Sequence, residues 1–104
     1  MTATAVGVDP IEHVALLADP LRRQIVVLLA DEQLCTCHLV EALGASQPTV
    51  SYHLKALREA GWVRGEQAGR YTYYELQPAG LAALADALGA LARRAAGPAR
   101  RRPA

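Results

Sequence analysis

The sequence predicts a mainly α-helical fold with one small β-hairpin, in the order α-α-α-α-β-β-α. Three observations predict it. Asp9-Pro10, Asp19-Pro20 and Ser46-Gln47-Pro48 each pair a capping side chain with a proline suited to a first helical turn. Gly44 and Gly61 stand just past apolar stripes, where helices stop. Residues 62–67 and 71–76 read as strands around the turn Ala68-Gly69. Two short helices joined by a tight, glycine-containing turn and followed by a hairpin make a winged helix-turn-helix, with further helices at both ends.

Each element has its own pattern. In the first helix, from Pro10, residues Ile11, Val14, Ala15 and Ala18 repeat at helical spacing. The second begins at Pro20, carries Leu21, Ile25, Leu28 and Leu29, and ends in Asp31-Glu32-Gln33. A short third helix covers about Thr36 to Leu43. The fourth runs from its Ser46 cap to the residue before Gly61. The final helix runs from Pro78 to about Ala95, with Leu81, Leu84, Leu88 and Leu91 on one stripe. These elements imply a single domain over residues 10–95, a flexible arm over 1–9 and a disordered, proline- and arginine-rich tail over 96–104.

Composition narrows the class. Of 104 residues, 52% are hydrophobic, but many are alanine and none is phenylalanine, which favours closely packed helices over an aromatic core. A domain this small buries roughly two-thirds of its unfolded surface, so a second copy to pack against would help it. The net charge of +1 does not itself point to nucleic acid. The distribution matters more: Arg93, Arg94, Arg100, Arg101 and Arg102 cluster at the C-terminus, and Arg64 and Arg70 flank the hairpin turn. Two cysteines without a signal peptide do not describe a secreted disulfide framework. No apolar run approaches the ~18 residues of a membrane span. The expectation is a cytoplasmic protein with reduced thiols and no membrane partner.

The fourth helix reads as a DNA-reading element. At 100° per residue, Val50, Leu54 and Leu57 share a narrow buried arc, with His53 packed beside it. Ser51, Tyr52, Lys55 and Glu59 lie on the outer face, with Thr49 at its edge. Hydroxyls, an aromatic and a cation suit base edges and phosphates, and Gln47 at the helix start can reach an adenine edge or a phosphate. Any exposed amphipathic helix has a polar outer face. The short helix before it and the hairpin after it turn the reading toward double-stranded DNA. Arg64 and Arg70 on the hairpin are assigned to phosphates or the minor groove. The tyrosines of the second strand are assigned to packing: Tyr71 and Tyr73 on one face, Tyr74 with Leu76 on the other.

About ten residues before this helix stands Gln33-Leu34-Cys35-Thr36-Cys37-His38-Leu39, which holds both cysteines. Cys-x-Cys offers two thiolates to a soft, thiophilic ion. Two positions apart on a regular helix point about 200° away from each other. One ion can therefore reach both only if Cys35 lies outside the helix or the first turn unwinds. Either event is expected to strain the helix just before the reading helix, linking ligand to DNA affinity. Two small residues of a core can also simply be cysteine.

From about Ile11 to Leu91 the chain resembles the ArsR/SmtB family of bacterial metal-responsive transcriptional repressors. Ala18-Asp19-Pro20-Leu21-Arg22 resembles that family's second-helix start. Ser46 to Leu54, with Lys55-Ala56-Leu57-Arg58-Glu59-Ala60-Gly61-Trp62-Val63, resembles its recognition helix and the approach to its wing. Gln33 to Leu39 resembles the Glu-Leu-Cys-Val-Cys-Asp-Leu motif of the arsenic-responsive members, with Thr36, His38 and Gln33 in place of valine, aspartate and glutamate. A third cysteine of some members is here Val40.

The resemblance implies a homodimer, packed through its first and last helices, on an inverted-repeat operator released on metal binding. The Leu81, Leu84, Leu88 and Leu91 stripe fits a dimer helix, though burial within one subunit would leave the same stripe. The inducer implied is trivalent arsenic or antimony on Cys35 and Cys37, with no catalytic cofactor. Such ions prefer three soft ligands; a small thiol or hydroxide is a candidate for the third, and a methylated arsenical needs only two. Cadmium, lead or zinc usually needs more ligands, for which His38 or His13 offers a nitrogen. The family's other metal site, built of Asp and His on the last helix, is not implied, since that helix offers Asp86 and no histidine. Two alternatives stand beside this. The same repressor can sense cadmium, lead, zinc or thiol oxidation, or the chain is a small thiol oxidoreductase. Against the oxidoreductase, the sequence has no phosphate loop, nucleophile elbow or redox-type Cys-x-x-Cys.

Overall fold

The computed structural model describes residues 9–103; most of the arm expected over 1–9 lies outside them. A 3-10 helix, Pro10–Leu17, is followed by α1 (Pro20–Asp31), β1 (Leu34–Cys35), α2 (Thr36–Leu43), α3 (Gln47–Glu59), β2 (Val63–Ala68), β3 (Tyr71–Leu76) and α4 (Pro78–Ala95). The architecture is mainly helical with a small antiparallel hairpin, as the sequence predicts. Two local features differ from the sequence reading. The first helix is 3-10 rather than α, and a two-residue strand precedes α2. No helix or strand follows α4 as far as Pro103.

The helix starts are built as the sequence implies. Asp19 stands at the N-cap of α1, and its Oδ1 accepts the N–H groups of Leu21 and Arg22 at 2.9 and 3.1 Å. Ser46 Oγ accepts the Thr49 N–H at the start of α3. Gly44, at φ +63°, closes α2 with its N–H on the Val40 carbonyl. The 3-10 helix has no fully buried residue. It is held from outside: Arg23 of α1 donates to the Leu17 carbonyl at 2.6 Å, and Trp62 Nε1 donates to His13 Nδ1 at 3.3 Å.

The core lies where α1, α2 and α3 meet the base of the hairpin. Ile25, Leu39, Leu54, Leu57 and Trp62 are fully buried, and Leu84 of α4 closes the cluster. The buried arc of α3 is Val50, His53, Leu54 and Leu57. Trp62 lies against Gly80 so closely that any Cβ there would overlap its indole ring, so α4 can cross only at a glycine.

The sheet order is β1-β3-β2, antiparallel throughout. The hairpin register pairs Ala68 with Tyr71, so the loop is Gly69-Arg70. Gly69 has φ +64° at the first loop position, where the tight hairpins of the primed types require a left-handed residue. On the other edge of β3, Leu34 pairs with Tyr74 and Cys35 with Tyr73.

Candidate metal centre and nucleic-acid interface

Cys35 ends β1 and stands at the N-cap of α2, with extended backbone at φ −83° and ψ 167°. Cys37 is the second residue inside the helix. Because Cys35 is not helical, the divergence of two helical positions does not apply, and both side chains reach one side. They are joined in a disulfide, with Cα atoms 5.3 Å apart, where the sequence reading expects free thiols. Of the two ways for one ion to reach both sulfurs, Cys35 outside the helix is the one built, without unwinding the first turn. The expected strain on the helix start is therefore not needed to bring the sulfurs together.

The two cysteines differ in environment. Cys35 is 2% exposed, whereas Cys37 and His38 are exposed. His38 Nδ1 accepts the Cys35 N–H at 3.1 Å and lies 3.3 Å from Cys35 Sγ. His38 thus occupies the third helical position and reaches back to the N-cap N–H, as Glu or Gln does in a capping box. Its ring also tilts over Tyr73, at 6.1 Å between centroids. The ligand atoms of Cys35, Cys37 and His38 lie within 4.8 Å of one another. His13 is not in this group; its Nδ1 is engaged by Trp62.

The residues assigned to DNA fall into two sets. Gln47, Ser51, Tyr52 and Lys55 are exposed on α3, and Tyr52 is 66% exposed. Thr49 is half-buried, and its hydroxyl accepts from Ser46 at 2.9 Å, so it serves the helix cap. Lys55 lies 4.0 Å from Glu59, one helical turn on, and both are exposed. On the hairpin the expectation that Arg64 and Arg70 both flank the tip does not hold. Arg70 is in the two-residue loop itself. Arg64 is near the hairpin base, opposite Glu75, with its Nη2 2.7 Å from the carboxylate. The reason is register: a two-residue loop leaves Arg64 as the second residue of β2, at the far end of the hairpin from the turn.

His53 is 5% exposed and faces inward, with Nε2 3.6 Å from Asp19 Oδ1. The backbone N–H of Arg22 holds the Asp19 carboxyl below its ordinary value. The His53 and Arg22 charges and the Leu21 N–H act in the same direction, against partial desolvation. α3 is thereby tied to the start of α1. On α4, Leu84 is 3% exposed and belongs to the subunit's own core, and Leu81 packs beside it. Leu88 and Leu91 are exposed at 44% and 42%.

A groove of about 590 Å³ joins the two halves of the site. Cys35 and Cys37, Gln47 and Ser51 of α3, and Arg70 and Tyr71 of the hairpin all line it. Sequence reasoning missed the roles of Tyr73, which pairs with Cys35, and of Glu75, which holds Arg64. Both follow from strand register: the two-residue β1 leaves no periodic signal for the Cys35–Tyr73 pairing, and the Arg64–Glu75 pairing is set by the length of the hairpin loop. Among the described residues, no helix is long and apolar enough to cross a membrane.

Comparison with known proteins agrees with this architecture. Residues 19–64, from the α1 cap to the start of the wing, match the bacterial regulatory protein, arsR family, model. The arsenic resistance transcriptional regulator ArsR1 of Pseudomonas putida is 46% identical over 63 residues, 60% of this chain and 49% of that protein. The arsenical resistance operon repressor of Escherichia coli is 43% identical over 70 residues, 66% of this chain and 60% of that protein. The match thus spans only about half to three-fifths of these curated relatives. A crystal structure described as a possible transcriptional regulator for arsenical resistance is 36% identical, with a TM-score of 0.69, covering 81% of this chain and 84% of that one. These relatives are named as regulators and repressors of transcription, not as enzymes. With the matched segment containing the helix-turn-helix and 84% of the solved relative covered, the chain belongs to the arsR family of bacterial regulatory proteins.

Proposed function

We propose that this protein is a homodimeric transcriptional repressor that holds an inverted-repeat operator and releases it on binding trivalent arsenic or antimony through Cys35 and Cys37. One observation carries the reading. Cys35 stands outside α2, so the two sulfurs converge, and the strand that carries it is paired to the wing. Two thiolates suit a soft ion, whereas zinc usually takes four ligands and finds three donors here. His38 is the nitrogen donor at hand for a harder ion, but ligation through Nδ1 would cost its bond to the Cys35 N–H. The arsenic-resistance names of two relatives support the same input. Gln47, Ser51, Tyr52, Lys55 and Arg70 are read as the DNA surface, with Arg64 and Thr49 in supporting roles. Leu88 and Leu91 are read as the dimer contact, supported from beneath by Leu81 and Leu84.

The disulfide favours a second reading, in which oxidation of the pair is itself the signal. One experiment separates the two. An operator is first selected from a random duplex pool with phosphine-reduced protein, and release is then followed by fluorescence anisotropy. Arsenite is expected to release reduced wild type but neither Cys35→Ser nor Cys37→Ser, while both variants still bind the DNA. Release by a mild oxidant with no response to arsenite would replace the metalloid reading with the redox one. Arsenite release that survives loss of either cysteine would remove the site altogether.

A further inference from the structure

The groove beside the cysteine pair is far larger than one ion with a hydroxide requires. Its volume of about 590 Å³ lies in the range of small-molecule sites, against ~30 Å³ for a water. The only charged side chain lining it is Arg70, and no carboxylate lines it. Among the described residues Arg70 is in no ion pair, whereas Arg64 on the same hairpin is held by Glu75. The chain supplies two sulfurs, and the nearby His38 Nδ1 is already engaged with the Cys35 N–H. The site therefore lacks a third soft ligand, and the groove that Cys35 and Cys37 line also holds one free cation among the described residues, Arg70.

We infer that the third ligand is a small anionic thiol, whose sulfur completes the ion's coordination at Cys35 and Cys37 and whose carboxylate pairs with Arg70. This rests on the metalloid reading above and names the partner that reading leaves open. The chemistry balances. Two equivalents of the thiol reduce the Cys35–Cys37 bond and leave as their own disulfide. Arsenous acid then condenses with both cysteine thiols and one further thiol, forming three As–S bonds and releasing three waters, with arsenic trivalent throughout. The thiol's body would lie over Gln47 and Ser51, and its carboxylate would take the guanidinium read as an operator-phosphate contact. Release would then follow from competition for the same groove, with no need to unwind α2.

The test uses the full chain, reduced with a phosphine and desalted. Arsenite affinity is measured at one thiol concentration in 3-mercaptopropionate, in glutathione and in neutral 2-mercaptoethanol, with native mass spectrometry of each adduct. Expected are a protein–arsenic–thiol adduct and an apparent Kd at least about fivefold lower with the anionic thiols, since a charge-assisted contact contributes more than a factor of a few. Arg70→Gln should remove that preference, and Arg70→Lys should keep most of it. Because Arg70 is exposed in a loop, both variants are expected to fold. Equal affinity in all three thiols, or a preference that survives Arg70→Gln, overturns the inference and leaves the two-cysteine arsenic site standing. No arsenite binding in any thiol overturns both.

Discussion

Cys35 and His38 show how much one backbone position decides. As a member of α2, Cys35 would point away from Cys37; as the N-cap, it converges with it. His38 stabilises that conformation by accepting the Cys35 N–H, a bond worth about 0.5–1.5 kcal/mol by the usual net value. Asp19 plays a comparable part for α1, and its lowered pKa gives a signed prediction. A carboxyl held lower in the folded than in the unfolded chain adds stability above its unfolded value, and that stability is lost as pH falls through the folded one. Asn at this position keeps the cap but has no charge to lose. Urea midpoints for wild type and Asp19→Asn, taken from pH 6 to pH 2, should differ most at the upper end. They should converge below about pH 4, in the carboxylate range. A gap that stays constant with pH would show that Asp19 acts only as a cap.

Among the elements, the hairpin carries the clearest division of labour. Arg70 stands in the loop and lines the groove, while Arg64 is paired with Glu75 of β3. A guanidinium in an ion pair must give up that partner before it can neutralise a phosphate. Arg70→Ala should therefore flatten the salt dependence of DNA binding by about one phosphate contact, with affinity falling across sequences alike. Arg64→Ala should change the slope by less than half as much. Anisotropy titrations between about 50 and 200 mM salt, where phosphate contacts weaken steeply, give the slopes that check this. Equal slopes for the two variants would mean that the Arg64–Glu75 pair opens on DNA. β1 ties the cysteine pair to the hairpin: it pairs with β3, so Cys35 and the hairpin share one sheet.

At the scale of the molecule, α4 runs past the core that its own subunit offers. The 18 residues of α4 span about 27 Å, and Leu84 is the one residue of α4 buried in the subunit. Beyond it, Leu88 and Leu91 reach solvent, as does Val14 of the 3-10 helix that packs on α4. The leucine stripe thus divides into a core end and a free end. Leu88→Glu should dissociate the proposed homodimer while the monomer keeps its thermal transition. Leu84→Glu should instead unfold the chain, because an unpaired charge in the core is among the few changes that cost more than about 4 kcal/mol. Sedimentation equilibrium beside thermal melts distinguishes these outcomes. A Leu88→Glu protein that remains dimeric would place the interface elsewhere.

What the sequence determined by itself is whatever local chemistry decides. Caps at Asp19 and Ser46, stops at Gly44 and Gly61, and the 3.6-residue stripe of α3 set the helices and their buried faces. The Cys-x-Cys pair was equally plain, because residue identity carries its chemistry. What only the tertiary structure decided is what depends on partners distant in the chain. Helical spacing does not distinguish a 3-10 from an α segment when tertiary hydrogen bonds from Arg23 and Trp62 hold it. A two-residue strand has no period, so the pairing of Cys35 with Tyr73 was invisible until β3 lay beside it. Strand register placed Arg64 against Glu75 and left Arg70 in the loop. One stripe of leucines reads alike whether it faces its own core or another subunit, and only the packing around Leu84 separates it from Leu88. Local free energies are written in neighbouring residues; which side chain meets which across the fold is settled by burial of the whole chain at once.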